Sequence, residues 1–103
     1  MSLRLTVLTA DECAPLLRAL AEPLRLRILS ALRAGPLAVF EITERLGIRQ
    51  YQASRHLAPL LELGAVVRER RGRRVYYSLS ARMRADSTGA PTLDLGCCQL
   101  RVE

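Results

Sequence analysis

The order of apolar and polar residues along the chain predicts four short helices followed by two strands. A weakly alternating segment before them, Leu3–Leu8, is interpreted as an extended arm. Thr9 and Glu12 have the spacing of a capping box, which predicts a first helix from there to about Ala21. Pro23 suits the first position of a second helix, because the backbone N–H that proline lacks has no helical partner there. The N-terminal third of the chain should therefore be helical.

A helix–turn–helix pair is predicted in the middle of the chain. Apolar spacing indicates a third helix over about Val39–Leu46, and Gly47-Ile48 forms a tight turn after it. A fourth helix follows over about Arg49–Leu63 and ends at Gly64. We expect a bend or an early loosening at Pro59, because proline removes one helical hydrogen bond, a loss of about 3 kcal/mol.

Two short strands come after this pair. Ala65–Glu69 and Val75–Leu79 have the composition of strands. The segment Arg70–Arg74 is the predicted hairpin tip, in which Gly72 supplies the positive φ that such turns use. Helices, a tight turn and a hairpin in this order predict a winged helix-turn-helix, which is a mainly α fold with a small β-hairpin wing.

Composition indicates an aliphatic core. The chain has 103 residues, half of them hydrophobic and only 4% aromatic, so Leu, Ile, Val and Ala should fill its interior. Phe40, Tyr76 and Tyr77 are expected to belong to that core. A chain of this length buries limited apolar area, so a second copy in a dimer would add to its stability.

The charge balance points to a polyanionic partner. The net charge is +6, and all sixteen basic residues are arginine. A basic, arginine-rich small domain is typical of proteins that bind nucleic acid or acidic lipid. A GC-rich genome would explain the choice of arginine over lysine but not its clustering. No signal peptide and no apolar run of about 20 residues is present, so we expect a cytoplasmic protein that does not enter a membrane.

The clustered charges coincide with the fourth helix and the hairpin. A recognition helix presents side chains from its N-terminal half to the major groove, where arginine pairs with guanine and glutamine with adenine. Ser54 and His56 are short donors suited to phosphate, and a wing can reach the backbone or the minor groove with arginine. A solvated basic surface is the simpler alternative, but charge and element order agree on double-stranded operator DNA. The predicted DNA-binding residues are Arg49, Gln50, Gln52, Ser54, Arg55, His56, Arg70, Arg71, Arg73 and Arg74.

The chain divides at about residue 80. We assign residues 1–80 to a winged helix-turn-helix domain for DNA binding and dimerisation. Residues 81–103 are interpreted as a linker and a cysteine-bearing C-terminal tail, because Asp86–Thr92 is rich in Ser, Thr, Gly and Pro.

Three segments resemble the ArsR/SmtB family of metal-responsive bacterial repressors. Ala19–Leu29 (ALAEPLRLRIL) is similar to the family's ALADPTRLRIL, Ser54–Leu57 matches its SRHL, and Gly72–Tyr77 matches its wing. The resemblance covers about Leu16–Leu79. It implies a homodimer that represses transcription from an operator and leaves the DNA when a metal or metalloid binds.

The chain departs from the family at the usual metal sites. Ala38-Val39-Phe40 stands where arsenic sensors of the family often carry Cys-Val-Cys, and no histidine follows Ser80 to form the C-terminal zinc site. His56 is the only histidine, and no other metal ligand is near it in the sequence. We interpret it as a helix residue close to DNA rather than as a ligand.

Three cysteines remain as candidate ligands of an inducer: Cys13, Cys97 and Cys98. An odd number in a reducing compartment argues against a disulfide framework, and three thiolates suit As(III) or Sb(III). Cys13 falls in the first turn of the first helix, where the helix dipole favours a thiolate. The linker would let the other two reach it, in the same subunit or in the partner. Cd(II), Pb(II) and Cu(I) also favour thiolates.

Other functions stay open from the sequence. The chain could be a repressor that responds to oxidation of Cys97 or Cys98, or one that has no sensor. A thiol enzyme would need a base beside its cysteine, whereas His56 belongs to the helix–turn–helix. A metal-delivery protein would not need an arginine-rich wing. We therefore predict no catalytic residue and no catalytic cofactor.

Overall fold

The computed structural model describes residues 9–83, 92–94 and 99–101. These residues form four α-helices and a three-stranded antiparallel sheet, and two further short strands pair with each other near the C-terminus. The predicted fold class, mainly helical with a small hairpin wing, is confirmed. The helices are α1 (Ala10–Leu20), α2 (Pro23–Ala31), α3 (Val39–Leu46) and α4 (Gln50–Leu63), and the strands are β1 (Leu37–Ala38), β2 (Val66–Arg71), β3 (Arg74–Leu79), β4 (Thr92–Asp94) and β5 (Gln99–Arg101).

Side-chain caps fix where α1 and α2 begin. At α1, the Thr9 N–H donates to Glu12 Oε1 at 2.9 Å, and the Glu12 N–H donates to Thr9 Oγ1 at 3.2 Å, so the predicted capping box is confirmed. At α2, Pro23 occupies the first position and Glu22 is the N-cap. Both helices therefore start where the sequence pattern places them.

α4 continues through Pro59 and ends at Leu63, so the expectation of an early loosening is wrong. A proline removes one hydrogen bond, whereas Leu57 and Leu60, on either side of it, are held in the core with 1% and 0% exposure. The helix closes in a Schellman motif, in which the Ala65 N–H bonds the Leu60 carbonyl and the Gly64 N–H bonds the Leu61 carbonyl.

The sheet contains a strand that the sequence did not predict. β1 has only two residues, too few for an alternating pattern, and it pairs with β3 through Leu37–Tyr77 and Ala38–Tyr76. The strand order is β1-β3-β2. β1 thus ties the wing directly to the residue before α3.

The hairpin tip is shorter than predicted. Arg71 and Arg74 pair as the last residues of β2 and β3, so the turn is Gly72-Arg73 alone rather than Arg70–Arg74. Gly72 has a φ of +64°, and no non-glycine residue in the described part of the chain has a positive φ. A glycine at the first central position is typical of a type II′ turn, whose twist matches that of the two strands.

The core is aliphatic, as the composition indicates, and lies between the helices and the sheet. Tyr77 is buried in it, Tyr76 is half-buried, and Phe40 is 48% exposed. The prediction that Phe40 is a core residue is wrong, because it follows Val39 at the start of α3 on the side that faces the wing arginines. Met83 is 2% exposed, so the packed unit reaches at least that residue.

None of the described helices is long and apolar enough to cross a membrane.

Replacing Leu57 by alanine should lower the free energy of unfolding by about 2–5 kcal/mol, because it opens a cavity in a fully packed core. Chemical denaturation followed by circular dichroism would measure this loss. Val67→Ala is the matched control: Val67 is 47% exposed, and the change should stay within about 0.5 kcal/mol. Equal losses in the two variants would contradict the assignment of Leu57 to the core.

Candidate nucleic-acid interface

A left-handed glycine joins α3 to α4. Gly47 has a φ of +67°, and the N–H groups of Gly47 and Ile48 both donate to the Thr43 carbonyl, at 2.8 and 3.2 Å. Arg27 on α2 donates to the Leu46 carbonyl at 3.4 Å, which places a positive charge at the negative end of the α3 dipole. These bonds hold α3 and α4 in a helix–turn–helix arrangement.

One predicted DNA-binding side chain, that of Gln52, already has a hydrogen-bond partner at the start of α4. Arg49 is the N-cap, and its backbone N–H donates to Gln52 Oε1 at 2.9 Å. Bidentate pairing with adenine needs both the oxygen and the nitrogen of a glutamine amide. Gln52 would therefore have to break its hydrogen bond with the Arg49 N–H to read a base. Arg49 and Gln50 themselves are exposed.

α4 has two distinct faces. Ala53, His56, Leu57 and Leu60 recur at helical spacing and are buried. The opposite face carries Tyr51, Ser54, Arg55 and Ala58, which are all exposed.

Tyr51 is the residue of this face that the sequence interpretation missed. Its side chain is 64% exposed, and it lies three and four residues before Ser54 and Arg55, so the three share one face. That spacing is visible in the sequence, but the sequence interpretation gives roles to Tyr76 and Tyr77 and none to Tyr51. Tyr51 thus joins Ser54 and Arg55 on the exposed face of α4.

The wing presents its arginines to solvent. Arg70, Arg71, Arg73 and Arg74 are all exposed. Arg71 donates to Glu69 at 3.1 Å and lies 5.2 Å over the Tyr76 ring. Within the described residues, Arg70 and Arg73 make no hydrogen bond or ion pair to another side chain. Their charges are therefore not neutralised within this part of the protein.

A cleft of about 380 Å³ lies between the wing and α4. The Arg74 guanidinium sits 4.9 Å above the Phe40 ring and Gln50 lies across from it. Because Arg74 and Gln50 line the same cleft, the wing and the N-terminal end of α4 face the same side of the molecule. The lining residues are Ala38, Val39, Phe40, Gln50, Arg74 and Val75.

Comparison with known proteins agrees with this arrangement. A family model described as a helix-turn-helix domain matches residues 20–69. The HTH-type transcriptional regulator NmtR of Mycobacterium tuberculosis is 47% identical over 70 residues, which are 68% of this chain and 58% of NmtR. The solved structure of the transcriptional repressor BigR from Xylella fastidiosa is similar with a TM-score of 0.66 and 35% identity, over 70% of this chain and 71% of BigR.

The chain belongs to the ArsR/SmtB family of winged helix-turn-helix repressors. The resemblance stated from the sequence is thereby confirmed. Another relative is the arsenic resistance transcriptional regulator ArsR1 of Pseudomonas putida, 43% identical over 63 residues, which are 60% of this chain and 49% of ArsR1. The chain spans about half the length of the curated relatives that it matches. The relatives are DNA-binding regulators and not enzymes, as predicted.

In this ArsR/SmtB chain, His56 is buried, which corrects the prediction that it is a phosphate contact on the surface. Its side chain is 8% exposed, because it belongs to the face of α4 that packs against α2. Its Nδ1 accepts a hydrogen bond from Arg25 Nε at 3.2 Å and lies 3.9 Å from Glu22 Oε1. His56 therefore has partners within the fold.

Glu22 caps α2 with its carboxylate. Oε1 accepts from the Leu24 N–H at 2.7 Å and from the Arg25 N–H at 3.2 Å. Desolvation alone would raise the pKa of Glu22, but these two backbone donors and the nearby His56 and Arg25 outweigh it, so the pKa is lowered from its usual value. The ionised form of Glu22 is thus the form that the fold favours.

The structure describes one of the three candidate thiol ligands of this ArsR/SmtB chain. Cys13 is the fourth residue of α1 and is 7% exposed. Cys97 and Cys98 fall between β4 and β5 in the chain and lie outside the described residues. Within the residues that are described, no group of three or more His, Cys, Asp and Glu side chains is arranged to hold a metal ion.

Glu22→Gln should make the protein less stable at neutral pH, with the difference shrinking as the pH falls. The lowered pKa means that ionised Glu22 stabilises the fold above the usual value of 4.5 and that this contribution is lost as the pH falls below it, through the lower folded-state pKa. Urea denaturation of both proteins between neutral and strongly acidic pH would measure the difference.

Glu44→Gln, an exposed carboxylate on α3, is the control. Its difference from the wild type should not follow this pH dependence. A Glu22→Gln difference that is the same at every pH would contradict a stabilising role for the ionised cap.

Proposed function

We propose that this protein is a homodimeric, cytoplasmic transcriptional repressor that binds double-stranded operator DNA. α4 would enter the major groove, and the wing would contact the flanking backbone or minor groove. The observation that carries this proposal is the cleft lined by both Gln50 and Arg74. It supports a single DNA-binding side on which the exposed face of α4 and the arginine-rich wing act together.

The side chains on that side suit distinct tasks. Arg49, Gln50 and Arg55 are exposed near the start of α4 and could pair with base edges, arginine with guanine above all. Ser54 suits phosphate. Arg70, Arg73 and Arg74 on the wing would supply the salt-dependent part of the affinity through phosphate contacts. Arg71 would join them on releasing its contacts with Glu69 and Tyr76.

A second copy would complete the DNA-binding unit. One recognition helix per half-site, about 34–36 Å apart along the DNA, matches an inverted repeat. Leu17 on α1 is 39% exposed, and a partner subunit packed on α1 would bury it. Dimerisation through α1 would link the spacing of the two recognition helices to the position of α1.

Arg55→Ala should weaken operator binding by about 5- to 150-fold, which corresponds to the loss of one base-reading side chain at about 1–3 kcal/mol. Fluorescence anisotropy with the DNA upstream of the protein's own gene would measure this, and circular dichroism would confirm that the variant is folded. Arg18→Ala, which removes an exposed arginine from α1, is the matched control and should change affinity far less. An unchanged affinity in Arg55→Ala would remove it from the reading face.

The proposed inducer is As(III) or Sb(III), bound by the thiolates of Cys13, Cys97 and Cys98. These ions favour three sulfur ligands, and the chain offers three cysteines and no other soft ligand set. One relative is named as a regulator of arsenic resistance. Binding at Cys13 would shift α1, and a coupling of about 1–3 kcal/mol would weaken DNA binding by about 5- to 150-fold.

A second candidate within the same family is a repressor that responds to thiol oxidation. In that case an oxidant and not an ion would move α1. Cd(II), Pb(II) and Cu(I) remain competing thiophilic inducers of the same three cysteines.

Cys97→Ser should bind operator as tightly as the wild type but should no longer be released by arsenite, because it leaves two thiolates for an ion that takes three. Arsenite titration into the protein–operator complex, with a reductant present, would measure release. Cadmium and zinc are the parallel titrants, and diamide without reductant tests oxidation.

A normal arsenite response in Cys97→Ser would place the site elsewhere, and release by diamide alone would favour the oxidation sensor. A protein that binds no DNA but passes metal to a partner would instead be a delivery protein.

A further inference from the structure

The guanidinium of Arg25 joins three helices. Arg25 lies on α2, its Nη1 donates to the Ala19 carbonyl in the last turn of α1 at 2.8 Å, and its Nε donates to His56 Nδ1 on α4 at 3.2 Å. Both bonds are partly buried. A planar guanidinium has several N–H donors at fixed angles, so one side chain holds both acceptors in a defined relative position.

The sequence explains why the Ala19 carbonyl is available to Arg25. A helical carbonyl bonds the N–H four residues later, and for Ala19 that residue is Pro23, which has no N–H. The two N–H groups just before Pro23 bond other carbonyls: the Ala21 N–H bonds the Arg18 carbonyl, and the Glu22 N–H bonds the Leu20 carbonyl. Arg25 therefore supplies a donor that the backbone cannot, and its charge also suits the C-terminal end of α1.

At the other end, the bond favours one tautomer of the neutral His56 ring. Because Nδ1 accepts the Arg25 proton, the neutral ring carries its own proton on Nε2. His56 belongs to the buried face of α4, and Arg55, its neighbour in the chain, belongs to the exposed face. Successive helical residues are about 100° apart, so any rotation of α4 that moves His56 also turns Arg55.

We propose that Arg25 is a positioning residue that transmits the position of the C-terminal end of α1 to the recognition helix α4. α1 also carries Cys13, so Arg25 connects the helix of the proposed thiol site to the DNA-reading face. The part of the inference that concerns the inducer rests on the proposed function. The part that concerns DNA reading rests on the Ala19–Arg25–His56 contacts and on the proposed role of α4 in binding DNA.

A purely stabilising role would give a different result. If the contacts only stabilised the fold, their loss would lower thermal stability but would leave the folded protein's preference for operator unchanged. A positioning role predicts a selective effect on operator binding, because misplaced base-reading side chains weaken specific contacts more than non-specific attraction to phosphate.

Four variants separate these roles: Arg25→Gln, His56→Leu, the double variant and His56→Asn. Asparagine keeps an acceptor at the position of Nδ1, so His56→Asn should behave like the wild type. Affinity for operator and for a scrambled duplex of equal length would be measured at one salt concentration. Arg25→Gln and His56→Leu should each lose about 3- to 30-fold in operator affinity and much less on the scrambled duplex.

The double variant tests whether the two residues act through one bond. Its operator affinity should be no lower than that of either single variant, because residues of one interaction give non-additive effects. Additive losses, or equal losses on operator and scrambled DNA, would overturn the proposal. His56→Leu and Arg25→Gln should also show a smaller ratio of operator affinity without and with inducer than the wild type.

A direct measurement of the bond keeps the test independent of DNA. His56 is the only histidine in the chain, so its imidazole ¹⁵N signals are assigned without ambiguity. They should report a proton on Nε2 in the wild type and a tautomer mixture in Arg25→Gln; the same spectrum in both would overturn the proposal. If neither arsenite nor diamide releases the wild type from operator, the proposed sensor is wrong. The double variant and the ¹⁵N spectra would still decide the role of Arg25.

Discussion

Leu57 and Leu60 pack into the core with almost no exposure, and their burial sets the rotation of α4 about its own axis. That rotation decides which side chains of α4 remain outside. With Leu57 inside, Ser54 and Arg55 are outside, and Tyr51 joins them one turn earlier. The direction of the proposed DNA-facing surface is thus a consequence of apolar packing, and the polar residues contribute chemistry to a face that the core has already oriented.

Most of the architecture follows from local sequence signals. Thr9 with Glu12 starts α1, Pro23 starts α2, and Gly47 and Gly64 end α3 and α4. Each signal acts through hydrogen bonds within a few residues, so the sequence alone is enough to predict it. The missed strand β1 differs, because a two-residue strand exists only through its pairing with β3, which is distant in the chain.

The candidate site was less predictable, because residue type does not tell which face a side chain occupies. His56 looked like a phosphate donor, yet its neighbours Arg25 and Glu22 are on α2, about thirty residues away in sequence. Phe40 looked like a core residue, yet it lies under the wing arginine Arg74. By contrast, the exposure of Tyr51 follows from helical spacing and could have been predicted from the buried positions of α4.

The same proline that starts α2 also leaves the last turn of α1 to be hydrogen-bonded by a side chain of α2. Pro23 leaves the Ala19 carbonyl without a backbone donor, and Arg25, two residues later, takes that place while also holding His56. Two of the three sequence segments that resemble the ArsR/SmtB family, one at the α1–α2 junction and one inside α4, therefore meet in the structure through this guanidinium. A helix whose end is held by a side chain of its neighbour is well suited to pass on its own displacement, because the displacement changes a hydrogen bond to the middle of α4.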